Sequence, residues 1–194
     1  SSGCEKLVNQ LIEYDQRLYK DALTGVYNRR DFEEQIKKKN ENAGVAVIDM
    51  DDFKLCNDTL GHSVGDAALR TMVKTVKHCI RKTDILIRYG GDEFILILEN
   101  IKKENFFNKL VQIQSDIHAA NVPGFPKLQL SVSIGGVISS KETVEHAVMQ
   151  ADKLMYQAKE HKNMVVTEDN ASYVAPGVAN RKARQQILIV DDSE

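Results

Sequence analysis

The chain lacks most of the features that would settle a function class quickly. Its three cysteines, Cys4, Cys56 and Cys79, are odd in number and contain no Cys-x-x-Cys pair. That usage suits reduced thiols in a cytoplasmic protein and argues against a disulfide framework. No apolar run approaches the roughly 20 residues of a membrane span, and no signal peptide is visible. Neither charge dominates: 26 basic against 28 acidic residues leave a net charge of −2, so no global basic field points to nucleic acid or an anionic membrane. Neither Gly-x-x-x-x-Gly-Lys nor Gly-x-Gly-x-x-Gly occurs, which excludes P-loop and Rossmann nucleotide sites. His62 has no second histidine at a metal-binding spacing and reads, on its own, as a hydrogen-bonding loop residue.

What is present is an ordinary globular balance. Hydrophobic residues make up 42% and charged residues 28% of 194, enough for one domain with a true core and flanking pieces. Residues 4–20 read as a helix, because Cys4, Leu7, Leu11, Tyr14 and Leu18 alternate spacings of three and four. The seam suits a helical stalk joining a dimer or an upstream sensor, or a helix packed on its own domain. Gly25 and Asn28 break it, and Asp31 with Glu34 resembles a capping box for a following helix.

Val45–Asp51 is apolar on both faces until it meets its acids, and so predicts a central strand with Asp49 on the face of Val45 and Val47. A helix opens near Gly61–Asp66 and carries Leu69, Met72, Val73, Val76 and Ile80 on its buried face. Phe106, Leu110, Ile113 and Ile117 mark another helix. Leu128–Ile134 alternates as a strand ending at Gly135-Gly136, Ser139 and Glu142 form a second capping box, and Val144, Val148, Ala151, Met155 and Ala158 share a helix face. Asn163–Thr167 reads as a last short strand. From about 169 the composition turns linker-like as far as 186. The order of elements predicts an α+β sheet with helices packed on it.

Ile85–Ile87 and Ile95–Leu98 flank Arg88-Tyr89-Gly90-Gly91-Asp92-Glu93-Phe94 and predict a hairpin whose two glycines take φ > 0. Strand alternation would send Asp92 and Glu93 to opposite faces. Two acids at a buried-looking tip are costly unless a cation meets them. Together with Asp49 and Asp51 they suit Mg²⁺, which binds through few carboxylates and substrate phosphates.

The stretch Gly90-Gly91-Asp92-Glu93-Phe94 resembles the signature of the GGDEF family, the diguanylate cyclases. Further matches in the family's order are Asp21-x-Leu-Thr-Gly-x-x-Asn-Arg-Arg30, Asp49-x-Asp-x-Phe-Lys54, Asn57-Asp58, Gly61-His62-x-x-Gly65-Asp66, Ser133-Ile134-Gly135 and Ala151-Asp152…Met155-Tyr156-x-Ala158-Lys159. The resemblance covers residues 21 to about 167. It implies a palm-like nucleotidyl-cyclase fold, with a central, mostly antiparallel sheet flanked by helices and preceded by the helical stalk of residues 1–20.

The implied reaction condenses two GTP into cyclic di-GMP and two pyrophosphates across a homodimer, without a nucleic-acid template. By resemblance, Asp49, Glu93 and the Met50 carbonyl hold Mg²⁺ (Mn²⁺ as an alternative ion). Asp92 is a second metal ligand or helps deprotonate the 3′-hydroxyl. Asn57 and Asp66 read guanine, while Lys54, Lys159, Lys162 and the backbone around Asp52 and Phe53 hold phosphates. His62, Gly90 and Gly91 complete the GTP site. Arg81 and Asp84 fit the family's inhibitory product site, Arg-x-x-Asp. One departure is plain: Ala158-Lys159-Glu160-His161-Lys162-Asn163 is one residue shorter than the family pattern and lacks its glycine. The segment 187–194 resembles the first strand of a response-regulator receiver domain, with Asp191 and Asp192 at its end, and hints at phosphorelay control. There it is expected to be disordered or docked.

Overall fold

The structure, a computed structural model, describes residues 2–173 and 188–190. Helix α1, Ser2–Tyr19, leads the chain. A two-residue strand β1, Tyr27–Asn28, runs into helix α2, Arg29–Asp31, which continues as a π-helical segment Phe32–Ile36. There follow β2 (Ala43–Met50), α3 (Phe53–Leu60), α4 (His62–Cys79), β3 (Ile85–Arg88) and β4 (Glu93–Glu99). The remainder is α5 (Lys103–Ala119), β5 (Val132–Ser139), α6 (Val144–His161), β6 (Met164–Thr167), β7 (Ala171–Tyr173) and β8 (Leu188–Val190).

The strands form one sheet in the order β1-β3-β4-β2-β5-β6-β7-β8. β1–β3 and β5–β6 pair parallel and all other neighbours antiparallel. β2 is central, bonded to β4 on one side and β5 on the other, as its two-faced hydrophobicity predicts. Its alternation divides the core. Ala46, Ile48 and Met50 pack with Leu69, Met72 and Val76 of α4 and with Leu110, Ile113 and Ile117 of α5. Val45 and Val47 pack with Val144, Ala147, Ala151 and Met155 of α6 and with Phe32 and Ile36. Burying each such aliphatic side chain is worth about 1.5–3 kcal/mol. Asp49 therefore emerges on the α6 face, one step beyond Val47.

Several local expectations are corrected. The cap of α2 is Asn28, whose side chain accepts from Asp31 N, rather than Asp31 with Glu34. The cap of α6 is Thr143, accepting from His146 N, while Ser139 is the buried last residue of β5. β5 does not end at Gly135-Gly136 but runs through them. A Cβ on Gly135 would stand 2.1 Å from Met155 N and 2.2 Å from Ala151 O, and one on Gly136 would meet Leu110 and Phe106. These glycines let α6 and α5 close on the sheet. Helix α3 occupies a stretch to which periodicity assigns no element, and His62 opens α4 instead of lying in a loop.

β7 falls in the stretch that reads as linker, and pairs antiparallel with β6. Of the receiver-like segment, only Leu188–Val190 is described, as a strand paired with β7; Ile187 and residues 191–194 lie outside the described residues. Cys4, Cys56 and Cys79 are all free. No helix among the described residues is long and apolar enough to cross a membrane.

Candidate active site at the end of the central strands

The site lies where β2 and β4 end side by side. Register places Asp49 directly opposite Glu93, and Ser133 of β5 opposite Asp49 on its other side. Met50 N donates to Asp92 O at 3.1 Å, which fixes the hairpin tip against the strand end. Helix α6, packed on that face, brings Lys159 across: its Nζ donates to Asp49 Oδ1 at 2.6 Å. Burial, followed by the neighbouring Asp92, pushes the Asp49 carboxyl up to about 6 against the pull of Lys159. Glu93 is raised by burial and by Asp152, Asp49 and Asp92. Burial also raises Asp152, which α6 contributes.

Both hairpin acids thus act on Asp49, where strict alternation would separate them. Asp92 precedes the first strand residue, Glu93, and escapes the pleat. The expected positive φ at Gly90 and Gly91 is also absent, since among described glycines only Gly25, Gly61 and Gly124 adopt it. Four residues, Tyr89–Asp92, separate the strands, so the chain need not reverse within two. Tyr89 N and Gly90 N both donate to Glu93 O, at 2.8 and 3.1 Å, and Arg88 Nη2 donates to Gly91 O at 2.8 Å. Arg88 also pairs with half-buried Asp21 at 3.2 Å. A Cβ at Gly91 would meet nothing within 4 Å, and at Gly90 only the Glu93 Cβ at 3.5 Å. The fold leaves open space over both glycines.

Past β2 the backbone turns through Asp52, which holds φ +57, into the N-terminus of α3. No side chain caps this helix. The first-turn amides at Phe53 and Lys54 therefore remain available to an anion. Lys54 is exposed there. Lys162, the C-cap of α6, reaches the same end and pairs with Asp52 Oδ1 at 2.8 Å. At the α3–α4 corner the Asn57 side chain lies over Gly65, where a Cβ would fall 1.8 Å from Asn57 Oδ1. That Asn57 oxygen is buried without a partner, and Gly65 beneath it is followed directly by half-buried Asp66. An orphaned acceptor of this kind needs a donor from outside the chain. His62 is exposed at the start of α4, on the rim of this corner.

The acid set fits a hard divalent cation on its chemistry: every donor is oxygen, and burial together with the neighbouring carboxylates already raises Asp49 and Glu93. Among the described residues, no three acidic, histidine or cysteine side chains meet at one coordinating point. The Lys159 ammonium stands at Asp49 instead.

One expectation, that Asp51 joins the acids, is corrected, and two further findings had no counterpart in the motif reading. Asp51 is not in the acid group, because Ser131 Oγ, Ser133 Oγ and Asn163 N all donate to it. Asp152 joins Glu93 through α6, which only the packing of that helix reveals. Buried Gln114 reaches Asn163 from α5. Arg81 and Asp84 stand apart from the site, at the end of α4. Arg81 N donates to Asp84 Oδ2 at 2.8 Å and Glu99 N to Oδ1 at 3.1 Å. A cavity of about 220 Å³ beside them is lined also by Lys20, Tyr27 and Lys77.

Residues 18–164 match the family described as diguanylate cyclase, GGDEF domain. The probable diguanylate cyclase DgcC of Escherichia coli (strain K12) is 30% identical over 163 residues, covering 77% of this chain and 44% of that protein. Diguanylate cyclase DgcS of Shewanella oneidensis is 35% identical over 149 residues, covering 72% of this chain and 49% of its own. The chain spans about half the length of these curated relatives. The coiled coil and GGDEF domain of DgcB from Caulobacter crescentus, solved in complex with c-di-GMP, superimposes with a TM-score of 0.77 at 23% identity, over 86% of this chain and 94% of that one. At that identity the likeness speaks for the fold alone. With most of its length inside the family match and the signature hairpin placed at the strand ends, the chain belongs to the GGDEF-domain family of diguanylate cyclases.

Proposed function

We propose that the chain condenses two GTP into cyclic di-GMP with release of two pyrophosphates, two copies facing each other with one GTP apiece. The observation that carries this reading is the Asp49–Glu93 cross-strand pair beside the uncapped start of α3. Asp49, Glu93 and the Met50 carbonyl would hold Mg²⁺, or Mn²⁺ through the same oxygens, and Asp92 would be a further ligand. When bound, the ion supplies positive charge to the phosphate oxygens.

The chain's own groups do the rest. Backbone amides around Asp52 and Phe53, with Lys54 and Lys162, receive the triphosphate. With Asp49 given over to a cation, Lys159 would be free to pair with the phosphates. Asn57 and Asp66 take the guanine edge: the Asp66 carboxylate accepts from N1–H and N2–H, a pair that adenine does not offer, while Asn57 supplies an unsatisfied oxygen. His62 flanks the base. Gly90 and Gly91 keep the hairpin backbone bare for close approach of the nucleotide. As the alternative to ligating the ion, Asp92 would help to take the 3′-hydroxyl proton in a reaction across the two copies.

Arg81 and Asp84 form the product site, which acts as a feedback brake. A cytoplasmic location suits a nucleotide-consuming chain with free thiols. A second reading, a module that binds GTP or cyclic di-GMP without turnover, draws on the Lys159–Asp49 contact, which puts an internal cation where the metal would go. Incubation with GTP and Mg²⁺, followed by mass detection of cyclic di-GMP, decides between them. Product is expected from the unaltered chain and none from Glu93→Gln. No product at high protein concentration overturns the cyclase reading.

A further inference from the structure

The turn after α6 is the part of the site where the chain departs from its family, and it is held by contacts that the known chemistry does not require. Lys162 and Asn163 sit one after the other at φ +59 and +48, and neither is glycine. Glycine takes this conformation without steric cost, asparagine tolerates it, and lysine resists it. Two side chains from elsewhere in the fold fasten the turn. The Asp51 carboxylate, itself pinned to β5 by Ser131 Oγ and Ser133 Oγ, accepts from Asn163 N at 2.8 Å. From the other side Gln114 Nε2 donates to Asn163 Oδ1 and, at 3.4 Å, to Asn163 O.

Gln114 is an odd residue for its position. It is 1% exposed on the apolar face of α5, between Ile113 and Ile117, and its Oε1 has no partner. A buried, half-satisfied amide costs stability that Leu or Met at the same position would not. What the amide does accomplish is to hold Asn163. The consequence appears one residue earlier. With Asn163 tied to Asp51, Lys162 is carried to Asp52, the next residue along from Asp51, and its ammonium lies 2.8 Å from Asp52 Oδ1 at the open start of α3.

We infer that Gln114 and Asp51 are positioning residues for substrate phosphate binding: through Asn163 they hold a glycine-less turn in the geometry that sets Lys162 over the N-terminus of α3. This inference rests on the reading of that end as the GTP phosphate site. Lys162 exchanges Asp52 for phosphate when the nucleotide arrives, and the pair of fastenings restores the reach that the missing residue would otherwise cost. Neither Gln114 nor Asp51 touches substrate.

The test is a double-mutant cycle read by calorimetric titration of GTP into the purified chain, alongside KM and kcat. Lys162→Ala is expected to weaken GTP about tenfold, one charge-assisted contact. Gln114→Leu is expected to weaken it about fivefold and to raise KM while leaving kcat within about twofold. In the Lys162→Ala background Gln114→Leu should weaken GTP less than about twofold, because the two act through one contact. Asn163→Gly keeps the N–H that Asp51 accepts and takes positive φ freely, so it should restore affinity to the Gln114→Leu variant. Equal losses from Gln114→Leu with and without Lys162, or no rescue by Asn163→Gly, overturn the positioning role while GTP binding by the unaltered chain still stands. Failure of the unaltered chain to bind GTP overturns both.

Discussion

Replacing Asp49 with Asn should make the metal-free protein more stable while removing its activity. The Asp49 side chain is 15% exposed, and burial with Asp92 beside it moves its carboxyl from an ordinary 3.8 to about 6, Lys159 notwithstanding. At 1.36 kcal/mol per pH unit, that displacement disfavours the charged form in the folded state by about 3 kcal/mol. Water at the strand end reduces this to about 1–2 kcal/mol. The sign follows from proton linkage. The folded pKa lies above the unfolded one, so the folded state binds more protons between pH 4 and 6, and stability falls as pH rises through that window.

Asparagine approximates the protonated acid and has no such dependence. Urea unfolding in EDTA should therefore find Asp49→Asn and the unaltered chain alike near pH 4. At pH 7.5 the variant should be about 1–2 kcal/mol more stable, a melting point roughly 3–6 °C higher. Cyclic di-GMP formation with Mg²⁺ should be lost. An Asp49→Asn protein that is equally or less stable at pH 7.5 would refute the view that a buried, crowded carboxylate strains the site until a cation relieves it.

Other outcomes can be checked more quickly. Gly135→Ala puts a methyl against backbone atoms of α6, so it should cost more than about 3 kcal/mol in urea unfolding; a milder loss would mean that α6 can shift freely. Arg81→Ala should relieve product inhibition, seen as a progress curve that stays linear to higher cyclic di-GMP, at a stability cost of about 1–3 kcal/mol, because the Asp84 carboxylate is buried and keeps only its bonds from Arg81 N and Glu99 N. Unchanged curvature would rule out Arg81 as the brake. On α1, Leu7, Leu11 and Tyr14 are about 57–64% exposed, a bare seam for a second copy. The unaltered chain is expected to sediment as a dimer and Leu7→Asp with Leu11→Asp as a monomer; a dimer that persists in the variant would exclude the stalk as the joining element.

Much of this architecture could be read from periodicity. Helices α4, α5 and α6 carry apolar stripes long enough to be unambiguous, and β2 is apolar on both faces because it lies between two strands and two helix layers. What escaped notice was local. Helix α3 is eight residues with no buried side chain and no cap, so neither pattern nor punctuation marks it. Gly135-Gly136 looks like a strand stop because glycine usually punctuates, whereas here its lack of a side chain serves packing in mid-strand.

In the site, the residue types announced themselves through the GGDEF resemblance, but their partners did not. Lys159 finds Asp49, and Asn163 finds Asp51, across 110 and 112 residues of chain. No local rule connects such pairs; only the packing of α6 on the sheet does.

The two glycines of the hairpin have a consequence of another kind. Neither needs a left-handed backbone, and space stands open above both, so the fold asks for nothing from the two residues that most clearly label the chain. Bulkier residues there would be silent in a thermal melt and conspicuous only when nucleotide must enter. A lineage could therefore lose its chemistry at these positions while keeping a sound, well-expressed protein, free to be retained for whatever else its surface recognises. Gly135 offers no such exit: there, decay of the sequence and collapse of the fold would come together.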